Sequence, residues 1–192
     1  MSKKILVLLG HPDKETYSGS IASSYEEAAR AAGHEVRRVN LGELSFDPIL
    51  HKGYKVIQEL EPDLVSLQED FNWADHIVLV YPNWWNTMPA LLKGLFDRFW
   101  IPGFAFNFDK VTKKLIKRLK GKTARVIVVA GTNGPFKTWW KYGDFTNEIQ
   151  HGILEFAGIK TKVSVYGPCE RVDGQCRDKW LNEVAKLGEK AR

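Results

Sequence analysis

The stretch HIVLVYPNWWNTMPALLKGLFDRFW, residues 76–100, contains a strand pattern, a short loop and a helix pattern in direct succession. Its first part is apolar throughout, which is typical of a central parallel strand covered on both faces. Pro82 ends that run, and Pro89 lies in the first turn of the helix, where proline is tolerated. Trp84 and Trp85 stand between the prolines, at the carboxyl end of the strand. We interpret this pair as a wall for a flat ligand; packing of one tryptophan against a neighbouring helix is the alternative.

The same alternation of strand and helix continues along the whole chain. Runs rich in valine, isoleucine and leucine predict five strands, at 4–10, 35–41, 76–82, 124–130 and 160–167. Helical patterns follow at about 18–32, 61–73, 88–100, 112–120, 144–157 and 174–190. The second strand alternates and carries two arginines, which places it at an edge. Strict alternation implies right-handed crossovers, so we predict an α/β fold with a doubly wound five-stranded parallel sheet of order 2-1-3-4-5, helices on both faces, and a single domain over 1–192.

Composition excludes several classes of protein. The 192 residues are 44% hydrophobic with a net charge of +5, which is ordinary for a globular chain. Apolar runs are too short to span a bilayer and the start lacks a signal-peptide cleavage pattern, so we expect a cytoplasmic protein without a membrane segment. The basic run 110–122 has apolar residues at helical spacing, which indicates a solvated helix and no nucleic-acid partner. Cys169, Cys176 and five scattered histidines match no metal-binding pattern, so no metal is expected.

The segment GHPDKETYSGS, residues 10–20, follows the first strand and opens a helix. Free backbone N–H groups and the helix dipole favour an anion there, and His11 and the hydroxyls of Thr16, Tyr17 and Ser18 can add hydrogen bonds to a phosphate. N-capping by Thr16 or Ser18 is the alternative. A GxGxxG dinucleotide site is excluded because no strand is followed by that motif, and Gly121-Lys122-Thr123 lacks the leading glycine of a Walker A motif.

Two more loops are predicted to reach the same end of the sheet, because the carboxyl ends of parallel strands meet there. After the third strand, backbone amides and the side chains of Asn83 and Asn86 can bond the polar edge of a heterocycle. After the fourth strand, GTNGP (131–135) permits close backbone approach to a ligand. Trp139, Trp140 and Tyr142 follow it, and a loop plugged by its own aromatics is the alternative there.

The segment GFAFNFD, residues 103–109, alternates aromatic residues and is predicted to add Phe106 to this group. A short strand packed on the core is the competing interpretation. No single loop decides the function, but the concentration of phenylalanine, tryptophan and tyrosine in segments that should converge indicates a ligand site at the carboxyl ends of the strands.

These motifs together resemble the flavodoxin-like NAD(P)H:quinone oxidoreductase family, of the quinone reductase and bacterial NAD(P)H dehydrogenase type. The resemblance extends over nearly the whole chain. It is most specific in YPNWWNTMPALLKGLFDRFWIPGFAF, residues 81–106, which is similar to the family's Pro-x-x-Trp, Pro-Ala-x-Leu-Lys-Gly and Phe-Ala-aromatic pattern. The first loop and the helical segment PDLVSLQEDFNWAD, residues 62–75, match the family as well.

The resemblance implies a role for each matching residue. His11 and Ser18 take phosphate-contacting positions, Tyr17 an aromatic one, and Gln68 stands where FAD-binding relatives contact the nucleotide. The isoalloxazine ring would be bordered on one side by Pro82, Asn83, Trp84, Trp85 and Asn86, and on the other by Gly131, Thr132, Asn133 and Gly134. Phe106 and Phe108 match aromatics that line the substrate slot from the partner subunit of a homodimer.

The chain departs from better-known quinone reductases in two places. Those relatives carry tyrosines where Phe106 and Phe108 stand, so the hydroxyl contacts to substrate are absent. The stretch after Gly134 lacks their tyrosine-to-histidine spacing, and Tyr142 is the candidate for the catalytic hydroxyl beside the flavin.

The implied activity is a two-electron reduction in which NAD(P)H passes hydride to flavin N5 and a quinone or similar flat acceptor then takes the same slot. FMN and FAD both stay open as cofactor, as do NADH and NADPH as donor. The alternatives are a one-electron carrier of the flavodoxin kind, a flavin-binding regulatory subunit of a potassium-efflux system, and a flavin-free interaction protein. Flavodoxins are usually strongly acidic, whereas this chain carries +5.

Overall fold

The computed structural model describes residues 2–132, 140 and 143–192. Five parallel strands form the central sheet, in the spatial order β2-β1-β3-β6-β7. These strands are β1 (Lys4–Leu9), β2 (Glu35–Asn40), β3 (His76–Asn83), β6 (Thr123–Ala130) and β7 (Lys160–Tyr166). Counted without the two short strands of a separate ribbon, β4 (Phe106–Phe108) and β5 (Leu115–Lys117), the order is 2-1-3-4-5. The predicted fold class, topology and edge position of the second strand are confirmed.

Helices cover both faces of the sheet. One face carries α1 (Tyr17–Ala31) and α4 (Gly174–Glu189), and the other carries α2 (Pro62–Trp73), α3 (Ala90–Phe99) and a π-helix (Glu148–Glu155). Two short 3₁₀ turns, Leu41–Glu43 and Gly53–Lys55, lie in the connection between β2 and α2. The core is therefore two apolar layers separated by the sheet.

Alternation along the central strands explains both layers. In β1, Val7 and Leu9 belong to the layer under α1 and α4, whereas Leu6 and Leu8 belong to the opposite layer, and all four are fully buried. Successive side chains of a strand point to opposite faces, so a strand that is apolar throughout supplies both layers at once. The strands that the sequence marked as apolar throughout, β3 and β6, lie at the centre of the sheet.

The predicted helix at 112–120 is wrong. Residues there form turns and the strand β5, which pairs antiparallel with β4. Lys113 has φ 58°, outside the right-handed helical region, and Val111 is 88% exposed although the helical pattern counted it as apolar. Leu119 is buried, and its backbone N–H donates to Ala157 at 3.0 Å. Pairing with the aromatic strand β4 overrides the local helical periodicity.

The other predicted helices differ from the observed ones by a few residues at their ends. Pro89 caps α3, which begins at Ala90, and the helix predicted at 144–157 contains the eight-residue π-helix. Within the described residues, no helix is long and apolar enough to cross a membrane, and no three His, Cys, Asp or Glu residues are grouped to hold a metal ion. That the chain forms one domain over residues 1–192 stays a prediction.

Candidate functional site

The segments that follow β1, β3 and β6 lie side by side at one end of the sheet, which we call its carboxyl end. Strand register pairs Leu9 with Val80 and Asn83 with Ala130, so the three strands finish next to one another. The N–H of Gly10 donates to the carbonyl of Val80 at 2.7 Å, which holds the first loop against β3. The first two loops and the start of the third, residues 131–132, therefore converge as predicted; the rest of the third loop lies outside the described residues.

The first loop ends in a capped helix. Thr16 is the N-cap of α1, and its hydroxyl accepts from the N–H of Gly19 at 3.2 Å. His11 Nδ1 accepts from the N–H of Asp13 at 2.9 Å, which fixes the ring within the loop. Ser18 lies in the first turn of α1 and is 3% exposed. The N-capping alternative holds for Thr16, while the remaining N–H groups of the first turn still face the loop as an anion site requires.

Tyr17 packs against α4. Its hydroxyl donates to the carbonyl of Arg177 at 3.0 Å, and the Arg177 guanidinium lies 5.7 Å from the centre of its ring. Burial raises the pKa of Tyr17 to about 12, against the opposing effect of Arg177. The hydroxyl is therefore already hydrogen-bonded to α4, so any contact of Tyr17 with a ligand would be made by the ring.

The loop after β3 is a two-residue hairpin turn with unusual backbone angles. Trp84 and Thr87 exchange two backbone hydrogen bonds, of 2.9 and 3.1 Å. Between them, Trp85 has φ 52° and Asn86 has φ 68°, as in a type I′ turn. Asparagine tolerates this left-handed region, but tryptophan rarely adopts it, and such strain tends to lie at ligand sites. The turn leaves Trp85 99% exposed.

Trp84 connects this turn to the first loop. Its indole meets the imidazole of His11 edge to face, with 5.3 Å between ring centres, and it remains 43% exposed. Two rings from different loops thus form one continuous surface above the end of the sheet. The alternative in which a tryptophan packs against a neighbouring helix does not describe Trp85.

Two polar groups of the residues around this turn have no partner among the described residues. The side-chain Oδ1 of Asn83 is buried and has no hydrogen-bond partner among the described residues. The backbone N–H of Trp85 likewise finds no acceptor within the part of the chain that the structure describes. A buried acceptor left unpaired costs about 1–3 kcal/mol unless a ligand supplies the missing donor. An unpaired acceptor and an unpaired donor beside two tryptophans fit a flat heterocycle that carries both N–H and ring nitrogen groups.

Thr87 and Glu148, which the sequence did not single out, anchor the turn. The Thr87 hydroxyl donates to Glu148 Oε2 at 2.8 Å, which ties the turn to the first residue of the π-helix. Burial raises the pKa of the nearby Tyr81 hydroxyl, and Glu148 and Asp144 raise it further. π-Helices are often found at functional sites, but a single glutamate between two apolar runs gives no sequence signal for one.

The loop after β6 is described only at its start. Gly131 is half-buried and Thr132 is exposed, both at the carboxyl end of the sheet. Asn133, Gly134 and Tyr142 lie outside the described residues, as does Trp139, whereas Trp140 is 88% exposed.

The chain after β7 also reaches this loop, which the sequence reasoning missed. A Cβ on Gly167 would lie 2.3 Å from the carbonyl oxygen of Thr132, so no side chain fits there. The N–H of Cys169 donates to the carbonyl of Ala130 at 2.9 Å, and the Glu170 carboxylate lies beside Gly131. Gly167 is thus the residue that permits the two chain segments to come together.

The other residues implied by the resemblance lie away from these loops. Gln68, on α2, donates its amide to the carbonyl of Phe99 at the end of α3, at 2.9 Å, which is a contact between two helices. Phe106 and Phe108 are on β4, where Phe108 is 54% exposed and Phe106 packs edge to face on Phe156. The short-strand interpretation of this segment is confirmed, and the ligand roles of all three residues stay predictions.

The comparison with known families agrees with the fold. The sequence pattern of a family described by its flavodoxin-like fold matches residues 3–185, and the chain belongs to this family.

The curated proteins that this chain resembles have the names of enzymes. An uncharacterised NAD(P)H oxidoreductase of Haemophilus influenzae is 26% identical over 189 residues, covering 94% of this chain and 92% of that protein. NAD(P)H dehydrogenase (quinone) 1 of Rattus norvegicus is 26% identical over 181 residues, covering 82% of this chain and 66% of that protein.

Solved structures share the architecture. A protein of Streptococcus mutans superposes with a TM-score of 0.84 at 27% identity, covering 97% of this chain and 99% of that one. An FMN-dependent NADH-azoreductase of Bacillus anthracis, crystallised in complex with FMN, has a TM-score of 0.78 at 18% identity and covers 99% of both chains.

Proposed function

We propose that this protein is a flavin-dependent NAD(P)H oxidoreductase that delivers hydride by way of flavin N5 to a quinone or a similar flat acceptor. The observation that carries the proposal is the strained turn at the carboxyl end of β3. It holds Trp85 99% exposed, next to the Trp84–His11 ring pair and two residues after Asn83, whose buried Oδ1 has no partner among the described residues. An isolated exposed tryptophan is unremarkable, but strain and an unpaired polar atom at the same place indicate a ligand.

The phosphate end of the cofactor belongs at the start of α1. Backbone N–H groups of the first helical turn and the positive end of the helix dipole favour an anion there. Ser18 lies in that turn, and His11 is fixed in the preceding loop by its bond to Asp13. The Thr16 hydroxyl is already the helix cap, so it contributes chiefly by holding this turn in place.

The ring end belongs between two backbone segments. Residues 82–86 form one side, with the Asn83 amide and the Trp85 N–H as hydrogen-bonding groups. Gly131 and Thr132 form the other side, and the predicted contributions of Asn133 and Gly134 extend it.

When bound, the flavin supplies the hydride chemistry, and the chain supplies orientation, hydrogen bonds and exclusion of water. The Trp85 N–H would stabilise negative charge at the pyrimidine edge. Tyr142 stays the candidate for a hydroxyl beside that ring.

The identity of the cofactor and the two substrates rests on named relatives. The Bacillus anthracis structure binds FMN, while the role of Gln68 in FAD-binding relatives favours FAD; the helix contact of Gln68 with Phe99 weakens that argument. The names of the Haemophilus and rat proteins support NAD(P)H as donor, and the rat name supports a quinone acceptor.

We also propose a homodimer with the site at the interface. Phe108 on β4 is 54% exposed and is joined on the same side by a shallow groove lined with Phe96, Trp100, Phe106 and Phe156. Exposed aromatics around an apolar groove are typical of an interface core. A second copy would cover these aromatics and bring Phe106 and Phe108 to the substrate slot. Light scattering of the purified chain tests this, with twice the chain mass expected and a monomer contradicting it.

We place the protein in the cytoplasm. Both cysteines, Cys169 and Cys176, are free thiols in the structure. Free, half-buried thiols are the usual state of cysteine in a reducing compartment.

The test is reconstitution followed by turnover. The purified chain is incubated with FMN and with FAD, unbound flavin is removed, and the retained flavin is released and identified. Steady-state oxidation of NADPH and NADH is then measured with a soluble benzoquinone as acceptor. Quinone-dependent oxidation by the flavin-loaded protein supports the proposal. Bound flavin without any NAD(P)H oxidation would favour the electron-carrier or regulatory readings, and no bound flavin would contradict the proposal.

A further inference from the structure

A second cavity lies at the opposite end of the sheet, which we call its amino end. Its volume is about 450 Å³. It is lined by the first residues of three strands and by the end of the chain: Lys3, His76, Thr123, Ala124, Lys160, Thr161, Lys162, Ala191 and Arg192. β3 begins at His76, β6 at Thr123 and β7 at Lys160, so the full length of the sheet separates this cavity from the loops described above.

The lining is strongly basic. It contains the cationic side chains of Lys3, Lys160, Lys162 and Arg192; none of its lining residues has an acidic side chain, and the main-chain carboxylate of Arg192 is the one anionic group they contribute. Lys160 and Lys162 are exposed and have no ion pair with any carboxylate of the described chain. Lysines on a sheet edge are common, so this charge alone does not define a site.

A buried charge lies directly beside these lysines. The strand register pairs Lys162 with Arg125 of β6, which places two like charges next to each other. Arg125 is 8% exposed, donates to the Ser164 hydroxyl at 3.2 Å, and has no carboxylate partner among the described residues. Burial lowers the pKa of this guanidinium. Like charges on neighbouring strands and a buried unpaired cation both cost stability, unless an anion compensates them.

His76, at the base of the cavity, has an unused polar atom. It is 2% exposed, and its Nδ1 lies 2.7 Å from the Thr123 hydroxyl, while its Nε2 is buried with no partner among the described residues. If Thr123 donates to Nδ1, the neutral ring carries its proton on Nε2, which is then a buried donor in need of an acceptor. Burial lowers the pKa of His76 to about 3, and the positive charges of Lys3, Arg125 and His34 lower it further.

Capping of helix ends explains some of this charge but not all of it. Lys3 Nζ donates to the carbonyl of Ala191 at 3.0 Å, just beyond α4. Lys122, outside the cavity, donates in the same way to the carbonyls of Asn72 and Ala74 at the end of α2. Cations favour the carboxyl ends of helices, so these two have a structural role, and the Lys3 ammonium keeps two further N–H groups for a ligand. Lys160, Lys162 and Arg125 contact no helix end in the described structure.

We propose that this cavity binds a small dianion of the phosphate class, held by Lys3, Lys162 and Arg192 with His76 and Thr123 at its base. Inorganic phosphate and the phosphate group of a small monoester share this chemistry. The volume exceeds that of a single phosphate ion, which leaves room for the carbon part of a monoester. The site is independent of the flavin proposal, because it uses none of the residues at the carboxyl end.

The test follows the histidine imidazoles of the full 192-residue chain by NMR during titration with inorganic phosphate, and separately with ribose 5-phosphate, at constant ionic strength. We expect the His76 signals to shift saturably and its pKa to rise by about one unit, since a nearby anion favours the charged ring. His11 reports phosphate at the carboxyl end in the same spectra, so the two ends are distinguished. Tighter binding of ribose 5-phosphate would identify a monoester as the ligand, and equal binding would identify phosphate itself.

Matched variants separate a site from general charge. Lys3→Gln combined with Lys162→Gln should weaken the His76 response at least about tenfold, because two charge-assisted hydrogen bonds are lost. The control is Lys110→Gln, which replaces an exposed lysine of the basic run 110–122 and should leave the His76 response unchanged. The proposal is overturned if His76 does not respond to either ligand, if chloride produces the same shift, or if Lys110→Gln weakens the response as much as the double variant.

Discussion

The two ends of the sheet use the same strands for different chemistry. The carboxyl end presents Trp84, Trp85 and His11 on loops, whereas the amino end presents lysine and arginine from the first residues of the strands. Each end also leaves buried side-chain atoms without a partner among the described residues: Asn83 Oδ1 at the carboxyl end, and His76 Nε2 and Arg125 Nε at the amino end. The unpaired atom at the carboxyl end is thus an acceptor next to tryptophan, whereas the unpaired imidazole nitrogen at the amino end lies among cations.

This difference shows how neighbours determine what an unpaired polar atom can bind. Under tryptophan, an acceptor fits a flat heterocycle with N–H groups. Among lysines, a buried imidazole donor fits an anion. Neither atom would indicate a ligand by its residue type alone, because asparagine and histidine are both common in ordinary structural roles.

The largest expected effect is on flavin affinity. Trp85→Ala removes the most exposed aromatic of the turn, and we expect flavin to bind at least about tenfold more weakly, since aromatic stacking and buried area together contribute more than about 1.4 kcal/mol. The measurement is flavin fluorescence titration. Trp73→Ala is the matched control, because Trp73 stacks on Arg37 at the far end of α2 and should not affect flavin. Equal affinity in Trp85→Ala and the unmodified chain would remove Trp85 from the site.

The amino end should show its own pH dependence of stability. The pKa of His76 is about 3 in the folded chain, below the 6.5 of an ordinary imidazole, so the unfolded chain binds more protons between these values. The contribution of His76 to the free energy of unfolding is therefore fully present above pH 6.5 and is lost as the pH falls towards 3. We expect the unmodified chain to lose about 2 kcal/mol more than His76→Gln between pH 7 and pH 5.

Urea unfolding of both proteins at the two pH values measures this difference. Parallel pH profiles of the two proteins would show that His76 titrates normally, which would contradict the burial and charge described here.

A smaller effect concerns backbone strain at the carboxyl end. Glycine adopts φ 52° without penalty, so Trp85→Gly should be more stable than Trp85→Ala by about 1 kcal/mol, although both lose flavin affinity. Trp84 lies outside the left-handed pair, so Trp84→Gly should be less stable than Trp84→Ala. Urea unfolding without flavin measures all four variants. The same order of glycine and alanine at both positions would mean that the turn is not strained.

The smallest expected effect is the bond between the turn and the π-helix. Thr87→Val and Glu148→Gln each alter the 2.8 Å contact between these residues, which is exposed. A double-mutant cycle with urea unfolding should give a coupling energy below about 1 kcal/mol, as for other surface charge contacts. A coupling above about 2 kcal/mol would show instead that the π-helix is what holds the turn in place.

Much of the fold could be predicted from the sequence, because strand runs and crossover rules are local or general. The predicted run 124–130 corresponds to β6 (Thr123–Ala130), and the strand order followed from the alternation. The helix predicted at 112–120 failed because β5 pairs with β4 and the N–H of Leu119, just after β5, bonds to Ala157, and no local pattern reveals either contact. The π-helix has the same apolar spacing as an ordinary helix and could not be distinguished from one.

The two candidate sites also differ in how much of each could be predicted from the sequence. Trp84 and Trp85 are adjacent in sequence, so the aromatic wall was visible as a motif. Its strained geometry was not, because the turn contains no glycine to mark a positive φ. The basic cavity joins residues that are far apart in the sequence, such as Lys3 and Lys162, and only the folded sheet brings them together.

The most direct test of the central claim, that the carboxyl end is a flavin-dependent reductase site, is anaerobic mixing of the flavin-loaded chain with NADPH. The visible absorbance of the bound flavin is followed over time. The account predicts rapid bleaching, and recovery of the absorbance when a benzoquinone is added. A bound flavin that keeps its absorbance with both NADPH and NADH would contradict the account.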